Sequence, residues 1–163
     1  MAKMIDTKPS YKGEGLVWDK LKQYLPDDMI VYNQREVNGR EYDFCVLSEN
    51  LGLLVIEVKG WISDKVAVKG VDHIMVEGYE RPQSSPKKQV RAYRFAILNL
   101  IRKKYSLSPL VLDMVCYPSI SEEEYKSCHL DIVSEKDYTI FKEDLENQES
   151  LNNKIINIFR LIM

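Results

Sequence analysis

Two carboxylates and an amine stand out by type and spacing. Leu53-Leu54-Val55-Ile56-Glu57-Val58-Lys59 is an apolar run that closes on a glutamate and a lysine, and Asp43 stands upstream of it across Ser48-Glu49-Asn50-Leu51-Gly52. A β-strand puts residues i and i+2 on one face, about 6.6–7 Å apart. Glu57 and Lys59 therefore project together from the end of a strand whose two faces are both apolar, as in a central strand. Hairpin pairing across the intervening turn brings Asp43 beside Glu57. Charges in such a place are costly unless they are paired or bind a metal. Two chemistries follow. Converging carboxylates repel each other, and oxygen-only ligation of this kind suits Mg2+ or Mn2+. Alternatively, Lys59 forms an ion pair with Glu57 or Asp43 and merely caps the strand. The spacing leaves both open.

Other residues with reactive side chains divide unevenly. Glu14 falls on helical spacing with Val17, Trp18, Leu21 and Leu25, a carboxylate on an apolar stripe; at a helix start it also complements the dipole. Gln89 and Tyr93 are i and i+4, one above the other on a single helix face. His73 and His129 have no partner at ligand or catalytic spacing. Cys45, Cys116 and Cys128 fit neither a disulfide framework nor a zinc site. They read as buried thiols in a reducing, cytoplasmic setting. There is no Gly-rich nucleotide loop, no apolar run near the roughly 18 residues that span a bilayer, and no secretory h-region in MAKMIDTKPS.

The formal net charge of −2 gives no global sign of a nucleic-acid partner, but the distribution is uneven. Residues 81–105 hold eight cations (Arg81, Lys87, Lys88, Arg91, Arg94, Arg102, Lys103, Lys104) and no Asp or Glu, so the remainder carries −10. Such asymmetry marks an anionic ligand on one side, or simply two solvated faces of opposite sign.

The elements that must position these groups can be read from periodicity and punctuation. A helix is expected from Gly13 to about Leu25, stopped by Pro26. Strands are expected at Met29–Gln34, at Arg40–Leu47 after an Asn38-Gly39 turn, and at Leu53–Lys59. A hairpin follows at Lys65–Lys69 and His73–Glu77. A long helix from Lys87 to about Lys104 opens after Pro86, and Leu110–Tyr117 reads as a further buried strand. A short helix at Glu122–Lys126, a last strand at Leu130–Val133 and a helical end in two pieces from about Asp137 complete the chain. This order predicts one α/β domain over residues 1–163, with a mixed central sheet flanked by helices.

Asp43-x13-Glu57-Val58-Lys59 resembles the metal-binding core of the PD-(D/E)xK nuclease superfamily, and Gln89-x3-Tyr93 is similar to the extra motif of its RecB-like branch. Gly13-Glu14 opening a helix, Asn38-Gly39-Arg40-Glu41-Tyr42-Asp43, and Gly52 through Trp61 resemble more specifically the nuclease-related domain, NERD. The similarity covers roughly residues 10–105. It implies a restriction-endonuclease-like core and a Mg2+- or Mn2+-dependent nuclease acting on DNA, with RNA as an open alternative. Asp43 and Glu57 would ligate the metal, the Val58 carbonyl would help, and Glu14 would add a carboxylate. Lys59 would orient or deprotonate the attacking water and stabilise developing charge. Gln89 would hold that water or a phosphate, supported by Tyr93. Tyr42 stands where the superfamily pattern has proline, a substitution common among NERD-like sequences. The basic row Lys87, Lys88, Arg91 and Arg94 is then expected on the sugar–phosphate backbone, a sequence-independent contact.

A reading from a different class is a catalytically inactive nucleic-acid-binding or targeting module that keeps the fold. Domains resembling this one often sit beside a helicase. The apolar stretch Asn153–Met163, which stops without a Gly or polar C-cap, accordingly leads us to expect that the domain is part of a longer protein.

Overall fold

The strand that carries Glu57 lies inside the sheet, as its two apolar faces demand. The computed structural model describes residues 1–37 and 39–162; Asn38 of the expected turn and Met163 of the expected terminal stretch lie outside the described residues. In chain order the elements are β1 (Lys3–Met4), α1 (Lys12–Tyr24), β2 (Met29–Asn33), β3 (Glu36–Val37), β4 (Arg40–Glu41), β5 (Phe44–Ser48) and β6 (Gly52–Val58). They continue with β7 (Val66–Gly70), β8 (His73–Val76), α2 (Pro86–Tyr105), β9 (Val111–Cys116), α3 (Glu122–Ser127), β10 (Thr139–Ile140) and α4 (Gln148–Ile162).

Six strands form one mixed sheet in the order β1-β2-β5-β6-β9-β10. β2, β5 and β6 run as an antiparallel meander, whereas β9 pairs with β6 in parallel after the crossover through α2. Along β6 the side chains alternate between two cores. Leu54, Ile56 and Val58 face α1 and α4 together with Val17, Leu21, Ile155 and Phe159. Val55 faces α2 with Val90, Tyr93 and Ile97. This is the α/β architecture expected of a restriction-endonuclease-like core, a mixed sheet with helices on both faces. Among the described residues, no helix is long and apolar enough to cross a membrane.

Local chemistry explains the boundaries. Pro86 begins α2 and the Ser85 hydroxyl accepts from the Lys88 N–H, while a Ser121/Glu124 capping box starts α3. Gly52 opens β6 where the backbone passes close to Leu110. Its φ is +131°, and a Cβ there would lie 2.4 Å from the Leu110 carbonyl oxygen, the same oxygen that accepts from Leu53 N–H. Gly52→Ala is therefore expected to cost about 1–3 kcal/mol, read by chemical denaturation.

Two strand expectations are corrected. Arg40–Leu47 is not one strand: Arg40 and Glu41 pair with β3 in a separate ribbon, and only Phe44–Ser48 joins the main sheet. The register runs unbroken from β2–β5 into β3–β4, with Gln34 N–H bonded to the Asp43 carbonyl and Tyr42 N–H to the Arg35 carbonyl, but the left-handed backbone of Gln34 (φ 53°) interrupts the regular strand there. Leu130–Ile132 is a 3-10 turn, and the last strand is Thr139–Ile140. Leu130 and Val133, three apart, both turn inward, a spacing a tight turn satisfies and a strand does not.

Candidate active site

Alternation along the sheet decides which charges meet. Phe44 and Val46 point to the α1/α4 core and Cys45 to the α2 core, so Asp43, one residue before Phe44, is on the α2 side. Phe44 pairs with Ile56, and the next step of that register sets Asp43 opposite Glu57. The two carboxylates thus converge at the end of β6, as the hairpin reading required. Asp43 Oδ2 accepts from Val58 N–H at 2.7 Å, which ties the bend before β5 to the last residue of β6.

Glu57 is only 4% exposed. Lys59 Nζ lies 3.4 Å from its Oε1, and Lys59 N–H bonds to the Cys116 carbonyl, extending the pairing with β9. The strand-capping ion pair is therefore present. It accounts for one oxygen only, since Glu57 Oε2 is buried with no hydrogen-bond partner. An orphaned carboxylate oxygen beside a second carboxylate is unfavourable in a purely structural site, and it is a natural cation ligand.

The electrostatics agree. Burial, then the Glu57 charge, pushes the Asp43 carboxyl up to about 8, against the opposing Val58 N–H. Burial also raises Glu57, with the Lys59 ammonium opposing. A carboxyl raised above its unfolded value of about 4 contributes no penalty at low pH, where both states are protonated. Its folded state grows progressively less favourable as pH rises from about 4 to 8, and the loss is then constant. The melting temperature of Asp43→Asn, which keeps an acceptor for Val58 N–H, should match wild type near pH 4 and exceed it by several degrees at pH 8 in chelator. A difference in melting temperature that does not change with pH would contradict this.

The two carboxylates and Val58 line a cavity of about 500 Å³ shared with Tyr11, Lys12, Glu14, Lys59, Trp61, Tyr79 and Gln83. Glu14 reaches it from the first turn of α1. Its Oε2 accepts from the Gln34 side-chain amide at 3.0 Å. Among the described residues, no three His, Cys, Asp or Glu side chains gather closely enough to hold a metal between them. The carboxylates at hand are thus Asp43 and Glu57, with Val58 beside them in the cavity lining. Two carboxylates, with water completing the shell, fit Mg2+ or Mn2+, which keep several waters when bound.

The remaining expected residues are not gathered there. Gln89 and Tyr93 line a neighbouring cavity with Arg40, Ser84 and Lys88, and the Gln89 amide rests 3.5 Å from the Tyr93 hydroxyl. Tyr93 is buried and near enough to feel the Glu57 and Asp43 charges. The basic row on α2 is split. Lys87 pairs with Asp113, and Arg94 Nη1 lies 3.1 Å from Asp113 Oδ2. Lys88 is exposed and pairs with Asp72 at 3.2 Å; Arg91 is exposed. Asp113 on β9 is 1% exposed, so two of the four cations expected on a phosphate backbone are drawn down to the sheet.

Sequence reasoning passed over Gln34, Tyr11, Tyr79 and Asp113. Gln34 has a left-handed backbone (φ 53°) and joins Glu14 to the Asp43 segment. Asp113 alone carried a signal, a single carboxylate within an apolar strand that requires a cation.

A model of the nuclease-related domain, NERD, matches residues 9–118. The chain belongs to the NERD family. The match contains Glu14, Asp43, Glu57, Lys59, Gln89 and Tyr93, and ends two residues after β9. None of the curated proteins compared matches the chain. Among solved structures, this NERD domain is similar to a repair endonuclease from Pyrococcus abyssi, with a TM-score of 0.41 and 13% identity, over 84% of this chain and 47% of that one. The chain thus spans about half the length of that enzyme.

Proposed function

We propose that this NERD domain is a Mg2+- or Mn2+-dependent nuclease that hydrolyses phosphodiester bonds of DNA. The observation that carries the reading is the convergence of half-buried Asp43 on buried Glu57, with Glu57 Oε2 left unpartnered. Asp43, Glu57 and the Val58 carbonyl would hold the cation. When bound, it supplies charge neutralisation at the scissile phosphate and a more acidic water. Val58 N–H keeps the Asp43 carboxylate aimed at the cavity. Lys59, positioned by its main-chain bond to β9, presents a fixed positive charge to the phosphate oxygens as negative charge builds on them. The Trp61 ring, 4% exposed, walls the cavity, and Lys59 Nζ sits 5.9 Å from its centroid.

The test is incubation of the purified domain with labelled single- and double-stranded DNA in Mg2+, Mn2+ or EDTA, beside calorimetry of the two metals. Cleavage in either metal, absent in EDTA, is the expected result. The placement of Gln89 outside the carboxylate cavity favours a second reading, an inactive nucleic-acid-binding module. Nucleic-acid binding without cleavage in any metal would select it.

A further inference from the structure

We infer that the carboxylate cavity takes single-stranded nucleic acid, whose bases stack on Tyr11 and Tyr79. The inference rests on the nuclease reading of the same cavity and adds the form of its substrate. Tyr11 caps the start of α1 without a side-chain hydrogen bond to it, and Tyr79 follows the β7–β8 hairpin. They are 73% and 53% exposed, yet both line the cavity that holds Asp43 and Glu57. Two exposed tyrosine rings thus border the same cavity as the carboxylates. A nucleobase offers each ring a flat apolar face.

The cavity continues into a second one of about 600 Å³ that shares Tyr11, Lys12, Gly13 and Gly60 and adds the half-exposed Ile62. Exposed Lys12 lies along both, where it can meet a phosphate while Tyr11 meets a base. Alternating cation and aromatic contacts along a groove are how proteins track single strands. In a duplex each base face is covered by its neighbours, and a ring reaches it only after unstacking. A charge-based grip on duplex backbone is correspondingly weak on α2, because Asp113 occupies Lys87 and Arg94.

The experiment is fluorescence anisotropy in EDTA, so that binding is read without cleavage, using a short labelled oligothymidylate and a duplex of equal length. Wild type should bind the single strand more tightly than the duplex. Tyr11→Ala/Tyr79→Ala should weaken single-strand binding about tenfold per ring and about a hundredfold in all, with duplex binding and melting temperature unchanged. Tyr11→Phe/Tyr79→Phe should restore the single-strand affinity, since the ring and not the hydroxyl stacks. Unaltered single-strand binding by the alanine pair, or tighter binding of duplex by wild type, would overturn the inference. The nuclease reading fails separately: no cleavage in any metal, with this binding pattern intact, removes the enzyme and leaves the single-strand site. Metal-dependent cleavage of the oligothymidylate that the alanine pair leaves unchanged does the reverse.

Discussion

Lys59→Ala should reduce Mg2+- or Mn2+-dependent cleavage by about 10²–10³-fold, the loss expected when one fixed charge aimed at the transition state is removed. Divalent-metal binding should persist, because an ammonium is not a ligand and its departure leaves Glu57 freer to accept a cation. Asp43→Asn and Glu57→Gln should lose both cleavage and metal binding. The alternative, a strand cap only, makes a different forecast. If the 3.4 Å contact between Lys59 and Glu57 were purely structural, Lys59→Ala would strand a buried carboxylate and lower the melting temperature, and its effect on cleavage would follow unfolding alone. Our reading expects the metal-bound variant to melt close to wild type, with the cation replacing the lost positive charge. Calorimetry, melts in Mg2+ and cleavage rates on the same three variants separate the two. Wild-type cleavage by a folded Lys59→Ala protein would sink the mechanism.

Asp113→Ala should destabilise the domain by about 3–5 kcal/mol, the usual loss when one member of a buried ion cluster is removed and its partners are left unpaired. At roughly 2–4 °C per kcal/mol for a chain of this size, the melting temperature should fall by about 10 °C. Asp113 is enclosed beneath α2, where it receives both Lys87 and Arg94. The Lys87 ammonium also lies 4.5 Å over the Tyr138 ring, so it has little freedom to turn outward. Replacing all three by apolar residues of similar volume should recover most of the loss, because a buried ionic cluster is seldom better than well-packed hydrophobes. Thermal and urea melts of the single and triple variants are the measurement. A single variant as stable as wild type would show that Lys87 and Arg94 reach water, and would return them to the surface row expected from the sequence.

Much of this was legible in the chain itself. The both-faces-apolar run Leu53–Val58 belongs at the centre of a sheet because nothing else buries both sides of a strand. Its spacing put Glu57 and Lys59 on one face, and the turn at Ser48–Gly52 returned Asp43 to Glu57. These are short-range consequences of a period of two and a tight turn. What lay beyond one hairpin did not follow. Whether the cations of α2 faced solvent depended on Asp113, nineteen residues from Arg94 and on another element. Helical periodicity says which residues share a face, not what the face meets. Gln89 and Tyr93 shared a face as expected, yet the docking of α2 on the sheet put Gln89 in a neighbouring cavity. Tyr11 and Tyr79, sixty-eight positions apart in the sequence, met only because the start of α1 and the loop after β8 border the same end of β6. Local sequence determined the reactive pair through strand geometry. The packing of helices on the sheet decided its surroundings, since those contacts join residues whose separation no local pattern encodes.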